Sequence, residues 1–107
     1  MTYTINNQSG SYTPIISDNS AFIIINSTNA STLNIPTNAS VSFAIGTSIT
    51  IIQSNTGAVT ISAVTPGTTN VYSIGATASA PILRAQYSSA TIVKSATDTW
   101  YVVGDIK

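Results

Sequence analysis

Thr32-Leu33-Asn34-Ile35 and Val59-Thr60-Ile61-Ser62-Ala63 put a large apolar residue at every second position. Side chains alternate across a β-strand, so each stretch offers one face to a core and one to a polar environment. Val41-Ser42-Phe43-Ala44-Ile45 has the same pattern and reads as a third strand of this kind. No window carries sustained apolar spacing at i, i+3, i+4 and i+7, the helical signature. Composition points the same way. Ile, Val and Thr make up 40 of 107 residues, and these β-branched types suit a pleated surface. Strong helix formers are scarce, with two Leu, two Lys and no Glu.

Turn signals fall at short, even intervals, the spacing of a small all-β domain. Strands are expected around Tyr3–Ile5, Tyr12–Ile16, Ala21–Asn26, Thr32–Ile35, Val41–Ile45, Ser48–Gln53 and Val59–Val64. Val71–Ile74, Ala90–Lys94 and Trp100–Val103 follow. Asn6–Gly10, Ser17–Ser20, Pro36–Ser40, Pro66-Gly67, the small-residue run Gly75–Pro81 and Ser95–Thr99 separate them. The expected fold is a single all-β domain over residues 1–107. It is an antiparallel sandwich or barrel, jelly-roll-like, of about nine or ten short strands. No repeat of 20–50 residues and no interdomain linker is apparent. Ile35, Phe43, Ile45, Ile51, Ile61, Ile92 and Val102 are the expected core.

The missing residue types exclude much chemistry. Without Cys or His there is no thiol chemistry, disulfide framework or zinc finger. A serine nucleophile would depend on Lys94 or Lys107 as its base, and no motif supports that pairing. Asp18, Asp98 and Asp105 are the only acids and are scattered, so neither a glycosidase pair nor a calcium cluster is expected. No Walker-type phosphate loop is present. Three cations against three anions do not make a nucleic-acid footprint. No 18-residue apolar stretch could span a membrane as a helix, and residues 1–10 lack the features of a secretory signal. The expectation is a non-enzymatic protein with no cofactor, no metal, and neither nucleic-acid nor membrane partners. The Asn-x-Ser/Thr sequons at Asn7, Asn26, Asn29 and Asn38 are about as many as chance places in so Ser/Thr-rich a chain.

Ile23-Ile24-Ile25, Ile49 with Ile51-Ile52, and Tyr101-Val102-Val103 are apolar on both faces. Two readings fit: a central or bulged strand, or a strand with one face against another chain. Charge favours the second. A free β domain protects its surface with charged residues, and this chain has six in 107. Tyr3, Ile5, Ile23, Ile25, Ile52, Trp100 and Tyr101 are therefore the candidate subunit-interface residues. The tyrosines and Trp100 also raise a carbohydrate-stacking platform as an alternative.

Three segments carry a family resemblance. The first is Ser11-Tyr12-Thr13 with Ser17-Asp18 and Ala21–Asn26, ending in Thr32–Pro36. The second is Val41–Thr47 running into Ile49–Gln53 and Gly57–Ile61. The third is Leu83–Ser88 with Ala90–Lys94 and Asp98–Ile106. In this order they span nearly the whole chain. The chain resembles a small β domain of tailed-bacteriophage virion proteins, both head decoration (cement) and tail-fibre-like. Members often carry Gly-Lys after the first Asp, where this chain has Asn19-Ser20. The resemblance implies a non-enzymatic virion protein, commonly a homotrimer, associated with other virion proteins. Because the β pattern begins beside Met1 and leaves no tail anchor, a decoration protein over the major capsid protein is the expected role. A tail-fibre or baseplate tip is the alternative, and a carbohydrate-binding adhesin module the second alternative.

Overall fold

The computed structural model describes residues 2–74 and 79–107. Of the loop expected over Gly75–Pro81, residues 75–78 lie outside the described residues. Eight strands are described: β1 (Thr4–Gln8), β2 (Ala21–Ile25), β3 (Ser31–Ile35), β4 (Ser48–Gln53), β5 (Val59–Ala63), β6 (Asn70–Tyr72), β7 (Ser89–Ala96) and β8 (Thr99–Gly104). The one described helix is a single 3₁₀ turn, Ile16–Asp18. The all-β expectation holds.

The strands form a six-stranded sheet, ordered β1-β2-β4-β7-β8-β6, and a two-stranded sheet, β3-β5. The expected antiparallel, jelly-roll-like connectivity does not hold, because four of the six pairings are parallel. Only β4–β7 and β7–β8 are antiparallel. The cause is a coiled path: the chain runs β2, β3, β4, β5 and alternates between the two sheets. Phe22 pairs with Thr50 and Ser31 with Val59, the same 28-residue offset in both sheets.

That offset is also a sequence repeat, contrary to the expectation of none. Residues 21–37 match residues 49–65 at six positions: Ile23/Ile51, Ile24/Ile52, Thr28/Thr56, Ala30/Ala58, Thr32/Thr60 and Thr37/Thr65. Each coil places like residues above like, as in a solenoid. The corners stack as tightly as the strands. Asn55 Nδ2 donates to Asn26 Oδ1 at 2.8 Å, and Gly57 N donates to Ser27 O at 2.9 Å. A Cβ on Gly57 would lie 2.1 Å from Asn29 O, so the upper corner has room only for glycine.

Alternating burial in β2, β3, β4, β5 and β7 sends every second side chain into one core. Ile35, Phe43, Ile51, Ile61, Ile92 and Val102 are in it, as expected. Ile45 is not; it is 66% exposed. Residues 41–45 are not a strand but part of the irregular crossover from β3 to β4. Thr47 N closes a turn on Ala44 O at 3.1 Å, and Gly46 at φ 96° reverses the chain, swinging Ile45 outward. Phe43 still reaches the core, with its ring edge-on to Trp100 at 5.7 Å.

The strand expected at Tyr12–Ile16 reduces to a single bridge, Tyr12 to Leu33, followed by the 3₁₀ turn. The polar run Asn6–Gly10, expected as a turn, supplies the second half of β1. Asp18 anchors this region. Its carboxylate accepts from Asn6 Nδ2 at 2.8 Å, Tyr12 Oη at 2.5 Å and Ile15 N at 2.9 Å. One buried side chain thus joins β1, the Tyr12 bridge and the 3₁₀ turn.

Candidate interaction face

Strand parity decides which apolar residues are available to a partner. Residues facing away from the core on the six-stranded sheet line up in rows given by the register. One row is Ile5, Phe22, Thr50, Thr91 and Val103; a second is Asn7, Ile24, Ile52 and Ser89. A third is Ser48, Val93, Tyr101 and Tyr72. These rows contain hydroxyls, the Asn7 amide, Ile and Val side chains and aromatic rings, but no ionisable acid or base other than tyrosine. With strands about 4.8 Å apart and about 3.3 Å of rise per residue, six strands of five residues cover roughly 500 Å² in projection. The apolar side chains cover only part of that area, interleaved with Asn7, Ser48, Thr50, Ser89 and Thr91.

The seven sequence candidates separate by parity. Tyr3, Ile5 and Tyr101 are about half exposed on or beside this face, and Ile52 is partly exposed within it. Ile23, Ile25 and Trp100 point the other way and are at most 2% exposed. The chain's own core covers them, which removes them as contact residues. The run Ile23–Ile25 lies in β2, a central strand between β1 and β4: its odd positions build the core, and Ile24 faces outward. Sequence reasoning missed Phe22, Ile24, Val93, Val103 and Tyr72, and following the alternation through each run would have found them.

Aromatic rings mark both ends of the face. Tyr3 packs beside Phe22 at 6.3 Å, and Tyr72 tilts against Tyr101 at 5.5 Å. Next to the second pair, Tyr72, Ile74, Tyr101 and Val103 border a shallow apolar depression of about 330 Å³. Between the ends, Thr50 and Thr91 hydroxyls bond to each other at 3.0 Å, so part of the polar surface is already self-satisfied.

The charged residues lie elsewhere and in separate environments. Asp18 is the N-terminal anchor described above. Asp105 accepts Arg84 Nε at 2.8 Å and Nη2 at 2.9 Å, with Ser88 Oγ at 2.8 Å. Arg84 holds the Asp105 carboxyl below its ordinary range, with Ser88 adding to the effect. Asp98 Oδ1 accepts the Asn38 backbone N–H at 2.7 Å and Thr69 Oγ1 at 3.1 Å. Among the described residues, these three carboxylates share no hydrogen-bond partner. Lys94 is buried, and its amine donates to Asn38 Oδ1 at 2.5 Å and Phe43 O at 2.7 Å rather than to a serine. No protein-family model matches the chain, and no curated protein matches it.

Proposed function

We propose that the chain is a non-enzymatic structural protein of a bacteriophage particle, a homotrimeric decoration protein seated over the major capsid protein. The observation that carries this reading is the outer face of the six-stranded sheet, where apolar and aromatic side chains are interleaved with hydroxyls and one amide and the three rows carry no acid, lysine or arginine. Such a face meets a neighbour without burying an unpaired charge, the costliest error in an interface. Its projected area is a large part of the ~800 Å² per partner in a standard interface. The virion setting and the number three rest on the resemblance of Ser11–Pro36, Val41–Ile61 and Leu83–Ile106 to phage virion domains. On the same reading, the two sheets are the layers of an open sandwich around the single core.

A second reading, a tail-fibre or baseplate tip that stacks carbohydrate, is favoured by the exposed Tyr72–Tyr101 pair beside its depression. Each ring is about half exposed and offers an apolar face with a polar hydroxyl at its tip, as a sugar ring requires. Sedimentation of the purified chain, followed by its location and copy number in imaged particles, tests the main proposal. A trimer in solution and hundreds of copies on the head support it. A stable monomer with copies only at the tail overturns it in favour of the second reading, which glycan binding lost in Tyr101→Ala would establish.

A further inference from the structure

A β domain is open to a further strand wherever a sheet edge keeps unpaired main-chain groups. Among the described residues, three of the four edges are closed or short. Tyr12 takes the free side of β3: its N–H donates to Thr32 O at 3.0 Å, and its carbonyl accepts Asn34 N–H at 2.9 Å. Residues 81–83 take the free side of β5, where Ile61 N donates to Pro81 O at 2.8 Å and Leu83 N to Val59 O at 2.9 Å. Strand β6 has three residues, and Asn70 N–H turns inward to Asp98 O, which leaves Val71 alone with outward groups. The fourth edge is β1. Gln8 O accepts Asn26 N–H at 2.8 Å, so the even residues of β1 direct their main-chain groups to β2. Successive residues of a parallel ladder point to opposite sides, so the N–H and C=O of Ile5 and Asn7 face outward. No described residue bonds to them. Proline, lysine and bulges, the usual guards of an exposed edge, are absent from Thr4–Gln8, and no charged side chain precedes Asp18. The strand is also held in shape. Gln8 Nε2 donates to Asn6 Oδ1 at 2.7 Å, and Asn6 Nδ2 to the buried Asp18 at 2.8 Å.

We propose that the β1 edge pairs with the β1 edge of a second copy of this chain, antiparallel, about a two-fold axis at Asn6. Such an edge is self-complementary. Ile5 of one copy meets Asn7 of the other, each exchanging its N–H and C=O, for about four main-chain bonds in all. This register uses all five residues of the strand. On the core side Asn6 meets its counterpart and Thr4 meets Gln8, so amides and hydroxyls face one another and no like charges approach. A foreign peptide is selected by side-chain pockets beside the edge, and the two depressions, at Ser62–Val71 and at Tyr72–Gly104, lie by β6 at the opposite edge. The axis stands perpendicular to the sheet, so the two six-stranded sheets join edge to edge with both outer faces on one side. A ring of three contains no two-fold axis. The contact is therefore independent of the three-fold association proposed above, and where both form it joins one trimer to the next.

The test is amide hydrogen exchange of the full chain, read by NMR at about 20 μM and about 1 mM, with sedimentation at both concentrations. The Ile5 and Asn7 amides should exchange at least tenfold more slowly at the higher concentration, in step with a doubling of mass. The Asn6 and Gln8 amides, already bonded to β2, should be protected at both. Asn7→Pro removes an outward donor and no bond to β2, so it should abolish the doubling and the protection of Ile5 at an unchanged melting temperature. Asn7→Ser keeps the N–H and should pair like the parent. Ile5 and Asn7 amides that exchange equally fast at both concentrations overturn the proposal. If the mass still rises in that case, association lies on another surface and the three-fold reading stands. Protection of Ile5 and Asn7 in a species of two copies, never a multiple of three, supports the pairing and removes the trimer.

Discussion

Gly57→Ala tests the stacked coils most directly. A methyl group at this position would sit 2.1 Å from Asn29 O, 2.6 Å from Asn29 C and 2.6 Å from Ser27 O. All three are backbone atoms of the corner below, so no side chain can swing aside. Relieving the clash requires the corners to separate by about 1 Å, since overpacked backbone must shift as a unit. The same shift stretches the Gly57 N to Ser27 O bond, now 2.9 Å, and the Asn55 to Asn26 bond, now 2.8 Å, beyond useful length. Overpacking costs about 1–3 kcal/mol and each of the two lost hydrogen bonds about 0.5–1.5 kcal/mol, so the expected loss is about 2–6 kcal/mol. Against a typical stability of about 5–15 kcal/mol this is a large fraction. Urea unfolding followed by circular dichroism is the assay, with Gly10→Ala as control because a Cβ there meets nothing within 4 Å. If Gly57→Ala and Gly10→Ala share the parent's midpoint, the corners do not stack as described and the coil argument fails.

Phe43→Ala should lower stability by about 3–5 kcal/mol, while Ile45→Ala should change it by less than about 0.5 kcal/mol, checked by the same unfolding curves. Val103→Asp should weaken self-association at least tenfold in sedimentation without lowering the melting temperature, because it charges the outer face and leaves the core intact. Arg84→Ala should bring the Asp105 carboxyl back up toward its ordinary range, read by NMR titration. In the parent, the depressed folded-state value means that this pair's small contribution is present above the unfolded carboxylate range and fades as pH falls through the folded value. Burial, reinforced by the Asp18 carboxylate, raises the Tyr12 hydroxyl above 10.0. Its contribution is therefore complete below that pH and is lost as pH rises through the folded value. Amide exchange in Thr4–Gln8 should quicken there first, and Tyr12→Phe should abolish that alkaline transition.

Much of the fold is legible in the side-chain pattern, and the failures have local physical causes. Leu33 and Ile35, or Val59 and Ile61, alternate because they lie in true strands with one face buried. Val41–Ile45 alternates equally well, yet the turn at Ala44–Thr47 overrides it, and periodicity alone cannot distinguish a strand from a crossover that anchors one ring. Parallel pairing is a property of the path between strands, and alternation is indifferent to it. The 28-residue repeat is faint because its matches are Ile, Thr and Ala, which are abundant throughout this chain. At the outer face, Tyr3, Ile5, Ile52 and Tyr101 were legible as apolar excess. Assigning Ile23, Ile25 and Trp100 to the core required the phase of each strand, which only the register supplies.

The constant 28-residue offset has an evolutionary consequence. Duplicating one coil in frame would add a strand to each sheet and lengthen the stack by about 4.8 Å. Such an insertion separates one existing pair in each sheet, β2–β4 and β3–β5, and widens the outer face by one strand. Chains built this way can change footprint in discrete steps through unequal recombination, a route closed to a fold whose strands pair only with sequence-distant antiparallel partners.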